Sequence, residues 1–307
     1  MKTAAGHLSM FRLSPALICG IILGAASESG HAQVYVANIG NGTIGEYTTS
    51  GATINADLIS GLSTPQGIVV VGSDIFVANT GTGTIGEYTT SGATVNATLV
   101  SGLNDPVGIA VSGTNLFVAE YGNNTIGEYT TSGATVNASL ISGLNTPQGV
   151  AVSGTDVFVM NTGNGTIGEY TTSGGTVNPA LISGLSTPYG IAISGADVFV
   201  ANYGNNTIGE YTTSGATIDA TLINPANGAF AIAVSGTDLF VAGGSDTNTI
   251  GEYTTSGAAV DSGLISGLNT PQGVAVAVPE PSSDALLAGC ATMAFAIIRR
   301  RRTRLAI

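Results

Sequence analysis

Between Gln33 and Val278 the chain contains no lysine, arginine, histidine, cysteine or tryptophan. Each absence removes a class of function. Without cationic side chains this stretch has nothing with which to neutralise phosphate, which excludes nucleic acid as a partner. Without histidine, cysteine or lysine it can assemble no Ser–His or Cys–His pair and no amine nucleophile. Without cysteine it forms no disulfide, even in an oxidising compartment. What remains is sixteen Asp and Glu carboxylates with no counter-charge. For acid–base catalysis the one device left is a pair of carboxylates, as in glycoside hydrolysis, and sixteen acids place some pair close together by chance.

Apart from tryptophan, which the whole chain lacks, the missing residue types sit at the two ends. Residues 1–32 carry Lys2 and Arg12, an apolar run from Leu13 to Ala26, and small Gly30 and Ala32. This is the pattern of a secretory signal, cut between Ala32 and Gln33, with Ala26 as the alternative earlier site. The apolar run is too short to favour an N-terminal anchor, and Ile18 stands where lipoprotein processing at Cys19 wants a small residue. At the other end come Pro279, Glu280 and Pro281, an apolar run over 285–298, and Arg299 to Arg302. Fourteen residues are short against the ~20 that a bilayer needs, and the arginines would hold their end in the cytoplasm. Alone, that is a marginal stop-transfer segment. The three features in this order resemble the C-terminal sorting signal called PEP-CTERM, found on exported proteins of Gram-negative bacteria. The resemblance implies transient anchoring in the inner membrane through 285–298. It also implies cleavage near Pro279–Pro281 by exosortase-type machinery, with the mature protein at the outer surface or outside the cell.

Between the ends, "IGEY" recurs from Ile44, Ile85, Ile126, Ile167, Ile208 and Ile250, at spacings of 41, 41, 41, 41 and 42. A period near forty restricts the architecture to propeller blades or helical pairs. The units are rich in Gly, Thr, Asn and Val, with turn residues every eight to twelve positions, and hold no amphipathic run of helical length. One unit divides into four strands: A ("GVAVSG" from Gly149), B ("DVFVMN" from Asp156), C ("TIGEYTT" from Thr166) and D ("TVNPALI" from Thr176). A and B are near-continuous apolar runs, as expected for sheets covered on both faces. The body begins in a strand B and ends in a strand A. That offset suits a ring in which the last A strand completes the first blade and removes two sheet edges. The sequence therefore predicts an all-β, six-bladed β-propeller over 33–278. The phrasing "PQG…AVSG…DLFVAN…TIGEY" is similar to NHL-type six-bladed propellers.

Function is less legible. The repeated Glu46, Glu87, Glu128, Glu169, Glu210 and Glu252 suggest a ring-shaped metal site. Strand C, however, lies far from the axis, so these carboxylates are expected to be separated and solvated. Lactonase-type propellers, which the fold resembles, hold a divalent cation with Glu, Asn and Asp in the central channel. The six A strands, counted from their glycines, offer neither carboxylate nor amide. No cofactor is expected, with Ca²⁺ as the cation that converging loop carboxylates would take.

The informative positions are those where the copies differ. A–B and C–D turns scarcely vary, whereas the D–A and B–C turns carry Asp105, Glu120, Tyr121, Tyr189, Tyr203, Phe230 and Asp246. In an antiparallel blade those two turn types share one face, which becomes the candidate binding face, unless that face is merely the more tolerant one. The expectation is a non-catalytic binding or structural propeller, with an extracellular polysaccharide or a surface protein as partner. The alternative is a hydrolase or lactonase-like enzyme with a loop-built metal site.

Overall fold

The computed structural model describes residues 32–224 and 228–277. The predicted leader, apart from Ala32, and the predicted sorting segment from Pro279 onward lie outside the described residues. Among the described residues, twenty-four strands, β1 to β24 in chain order, form six four-stranded antiparallel sheets. In the fourth blade A is Pro147–Ser153, B is Asp156–Asn161, C is Thr166–Thr171 and D is Thr176–Ile182. Strand A thus starts two residues earlier than its glycine. Among the described residues no helix is long and apolar enough to cross a membrane.

The ring closes as the terminal offset requires. β24 (Pro271–Ala277) pairs antiparallel with β1 (Gln33–Asn38), and the order in that sheet is β24, β1, β2 (Thr43–Thr48), β3 (Thr53–Ile59). The last strand is the innermost strand of the first blade, so every B strand is paired on both sides.

The core is six apolar wedges, one between each pair of neighbouring blades. Between blades three and four, Phe117, Ile126 and Ile141 meet Val157, Val159 and Tyr170. Strand B is buried on both faces throughout, which is why it reads as unbroken apolar residues. Strand A is only half-buried because its inner side lines the central channel. Strand D forms the outer rim, exposed along most of its length.

The repeated "IGEY" has a packing origin. Ile44 and its equivalents are fully buried, and the tyrosine two residues after the glycine is nearly so. Positions i and i+2 of a strand share a face, so the Tyr ring folds back across the glycine. A Cβ on Gly86 would stand 2.7 Å from Tyr88 Cε2, and in the other five copies the nearest tyrosine atom would lie at 2.6–2.9 Å. The nearly unvarying C–D turns are also fixed by packing. Gly92 takes φ +85°, and a Cβ there would press on the Leu58 carbonyl of the preceding blade. Glycine satisfies both demands.

Candidate ligand-binding mouth

B–C loops bond through their backbones to D–A loops: Tyr121 N–H to the Asp105 carbonyl at 3.1 Å, Tyr203 N–H to that of Thr187 at 3.2 Å. C–D turns bond instead to A–B turns, as Thr131 N–H does to the Thr114 carbonyl at 2.8 Å. The two pairs of loop types therefore lie on opposite faces, and the variable positions share one of them.

At the centre of that face the second residue of each A strand, or its counterpart, forms a ring: Gln66, Val107, Gln148, Tyr189, Phe230 and Gln272. Three are amides. Counting strand A from its glycine missed them, so the expectation of a channel without amides is corrected. The glycine that follows in most copies holds the strands close. A Cβ on Gly67 would strike the Val107 carbonyl, and one on Gly190 would come within 2.8 Å of Ala231 Cα. The ring consequently narrows beneath the six side chains to a channel of ≈ 120 Å³, below a cup of ≈ 320 Å³. The cup is also lined by Thr80, Asp105 and Tyr121.

Four of the predicted face residues, Asp105, Tyr121, Tyr189 and Phe230, line the cup together. Tyr203 joins them through its ring, whose centroid lies 5.5 Å from that of Tyr189 and 4.6 Å from that of Phe230. Tyr189 and Phe230 are 4.9 Å apart. The three rings form one tilted cluster in the fifth and sixth blades. Tyr121 also lines the cup and is 40% exposed. Burial first, then the neighbouring Tyr121 and Tyr203, push the Tyr189 hydroxyl above its ordinary range, so it stays a neutral donor. Asp105 is exposed at the rim, at φ +49° immediately before Pro106. Thr64, Thr146, Thr187 and Thr270 occupy the same left-handed pre-proline position at φ +46° to +54°. A β-branched residue there is strained by roughly 1–3 kcal/mol, and four of the six blades carry one at the mouth. Asp246 falls in the four-residue helix Gly244–Thr247, and its side chain lies outside the described residues.

Glu120 is not part of the surface. It is 3% exposed and stands where other blades have Asn38, Asn79, Asn161 or Asn202. Its carboxylate accepts from Asn104 N–H at 3.0 Å, Asn123 Nδ2 at 3.1 Å and the Tyr129 hydroxyl at 3.0 Å. Asn161 performs part of this task, accepting from Asn145 N–H at 3.0 Å. Glu120 is thus a strut between loops rather than a ligand group, because a longer side chain on a buried strand end reaches inward. Glu120→Ala should cost about 2–4 kcal/mol by orphaning several donors, whereas Glu120→Asn should cost under about 1 kcal/mol; chemical denaturation measures both.

The strand-C glutamates also depart from expectation. Glu46 and Glu128 are buried and the other four half-buried, because the sheets enclose them. Among the described residues no group of three or more Asp, Glu, His or Cys is placed to hold a metal ion. Burial raises the carboxyls of Glu46, Glu87, Glu169, Glu210 and Glu252 above 4.5; Asp74, Asp156, Asp197 and Asp238 add repulsion to the last four in turn. A raised acid binds its proton more tightly when folded. Its penalty is absent below the unfolded value and grows as pH rises through the folded one. The melting temperature should therefore be higher near pH 5 than at pH 7.5, by circular dichroism. The reverse order would contradict the burial of these carboxyls.

No protein-family model matches the sequence, and no curated protein matches it either. Solved structures do match in shape. A chain of a nidogen/laminin complex is similar at TM-score 0.65 and 15% identity, covering 81% of this chain and 99% of that one. A streptogramin B lyase gives TM-score 0.62 at 20% identity, covering 81% and 84%. A virginiamycin B lyase from Staphylococcus aureus with quinupristin, described as a catalytically inactive histidine-to-alanine variant, gives 0.58 at 19%, covering 78% and 86%. The likeness is one of fold. A binding propeller and lyases share it, and at these identities neither activity transfers.

Proposed function

We propose that this protein is an exported, non-catalytic binding propeller that engages its ligand at the cup on the variable-loop face. The observation that carries the reading is the convergence of Tyr121, Tyr189, Tyr203 and Phe230 around one opening, from positions scattered over more than a hundred residues. Concave sites with aromatic walls and a few placed polar groups are where proteins bind small ligands and chain ends. The nidogen/laminin neighbour supports binding as a use of this fold. The lyase reading has less support, since the variant described as inactive lacks one histidine and this chain has none between residues 32 and 277. Export and trimming near Pro279–Pro281 rest on the end sequences, with an extracellular polysaccharide or surface protein as partner. Mass spectrometry of the native protein should find termini near Gln33 and Pro279–Pro281; intact Arg299–Arg302 on the mature protein would remove the processing step.

The binding test compares two faces. Alanine at Tyr121, Tyr189 and Tyr203 should abolish attachment to extracellular material of the producing cells. Alanine at Thr90, Thr131 and Thr213, on the opposite turns, should leave it intact. Equal loss from both sets, or none from the tyrosines, would mean that the variable loops differ by drift.

A further inference from the structure

The ring of six equivalent positions is chemically divided, and the division specifies a ligand. Gln272, Gln66 and Gln148 belong to the first, second and fourth blades, while Tyr189 and Phe230 occupy the fifth and sixth, backed by Tyr203. An amide both donates and accepts, which matches a hydroxyl. An aromatic face matches the C–H face of a saturated ring. One side of the cup therefore offers hydroxyl partners and the other a stacking wall. Among the described residues, Asp105 is the one charged side chain that lines it. Around it the body carries sixteen carboxylates and no cation, so the field repels anions over about 8 Å at physiological salt. The glycine-tight floor admits a chain end and stops it from threading through.

Resting on the reading of this face as the binding site, we infer that the cup takes the uncharged, polyhydroxylated end of a glycan chain and excludes uronate-bearing ones. Asp105 accepts hydroxyl hydrogen bonds at the rim. The aromatic cluster stacks on the terminal ring, and the glutamines satisfy its equatorial hydroxyls.

Isothermal titration of the protein as isolated, with cellohexaose, xylohexaose, hexagalacturonate and chitosan hexamer, tests this. A neutral hexamer should bind, with Tyr189→Ala weakening it roughly tenfold and Tyr189→Phe retaining it within about twofold. Should Tyr189→Ala disturb folding, Gln148→Leu provides an independent arm. Val107 already places an apolar residue at the equivalent position, so the fold tolerates it, and neutral binding should fall several-fold. Hexagalacturonate binding as tight as the neutral hexamers overturns the inference. So does chitosan hexamer binding far more tightly than either, since the site would then be reading positive charge. If no hexamer binds at millimolar concentration while attachment to extracellular material still requires the tyrosines, the glycan class fails and the binding face stands. If attachment is also indifferent to the tyrosines, both fail.

Discussion

A chain cut after Thr270 should lose its cooperative melting transition and aggregate. The removed strand β24 supplies the backbone partner of β1 along its full length, from Gln33 opposite Ala277 to Asn38 opposite Pro271. It also brings Val274 and Ala275 into the wedges on either side of the first blade. Without it, Val34, Tyr35 and Val36, all fully buried, sit on an open edge. Each large apolar side chain exposed costs about 1.5–3 kcal/mol, and several together approach the ~5–15 kcal/mol by which domains are stable. An unpaired apolar edge is also a template for pairing with another molecule. A permuted chain, joining Ala277 to Gln33 through a copy of another A–B turn and opened at a different A–B turn, should melt like the parent. A truncated protein that does the same as the parent would defeat the closure.

Gly86→Val should be the most damaging single change within a blade. The Tyr88 ring crosses Gly86 with Cε2 and the hydroxyl both 2.7 Å from where a Cβ would be. Strand C cannot retreat, because Gly86 pairs with fully buried Val77 on strand B. The ring must leave a site in which it is 4% exposed, a loss comparable to truncating a buried aromatic, about 3–5 kcal/mol. Tyr88→Ala alone should cost a similar amount by leaving a cavity. The diagnostic result is the pair: Gly86→Ala combined with Tyr88→Ala should be less destabilising than the sum, since the new methyl enters the space the ring vacated. Strict additivity in denaturant melts would mean that glycine and tyrosine do not share that space.

The fold was legible because packing leaves periodic traces. The 41-residue spacing, the unbroken apolar strand B and the strand-A ending each correspond to something observed: a blade, a doubly covered strand, a closed ring. The variable-loop face was half legible. Loop connectivity alone placed Tyr121, Tyr189, Tyr203 and Phe230 on one side, and the structure gathers them. Burial was less readable. Glu120 looks like a variable-loop residue, yet it ends a buried strand and turns inward to Tyr129. The signal that separates it from Tyr121 is alignment with Asn79 and Asn161, which are buried in the other copies. Gln66, Gln148 and Gln272 escaped because identical residues in several repeats read as scaffold. Around an axis, three identical residues become one wall.

The register of the closing strand also orients the molecule. Gln33 and Ala277 are paired neighbours, and they stand where the first blade's A–B turn would be. Both ends of the described chain therefore emerge side by side at the pole opposite the cup. A support that gripped the chain at Ala277 would have the aromatic wall and the glutamines presented away from it, like a socket on a stem. On the proposed reading, recognition at the cup and a tether at Ala277 would lie at opposite poles of the ring, so neither would need to give way for the other to be filled.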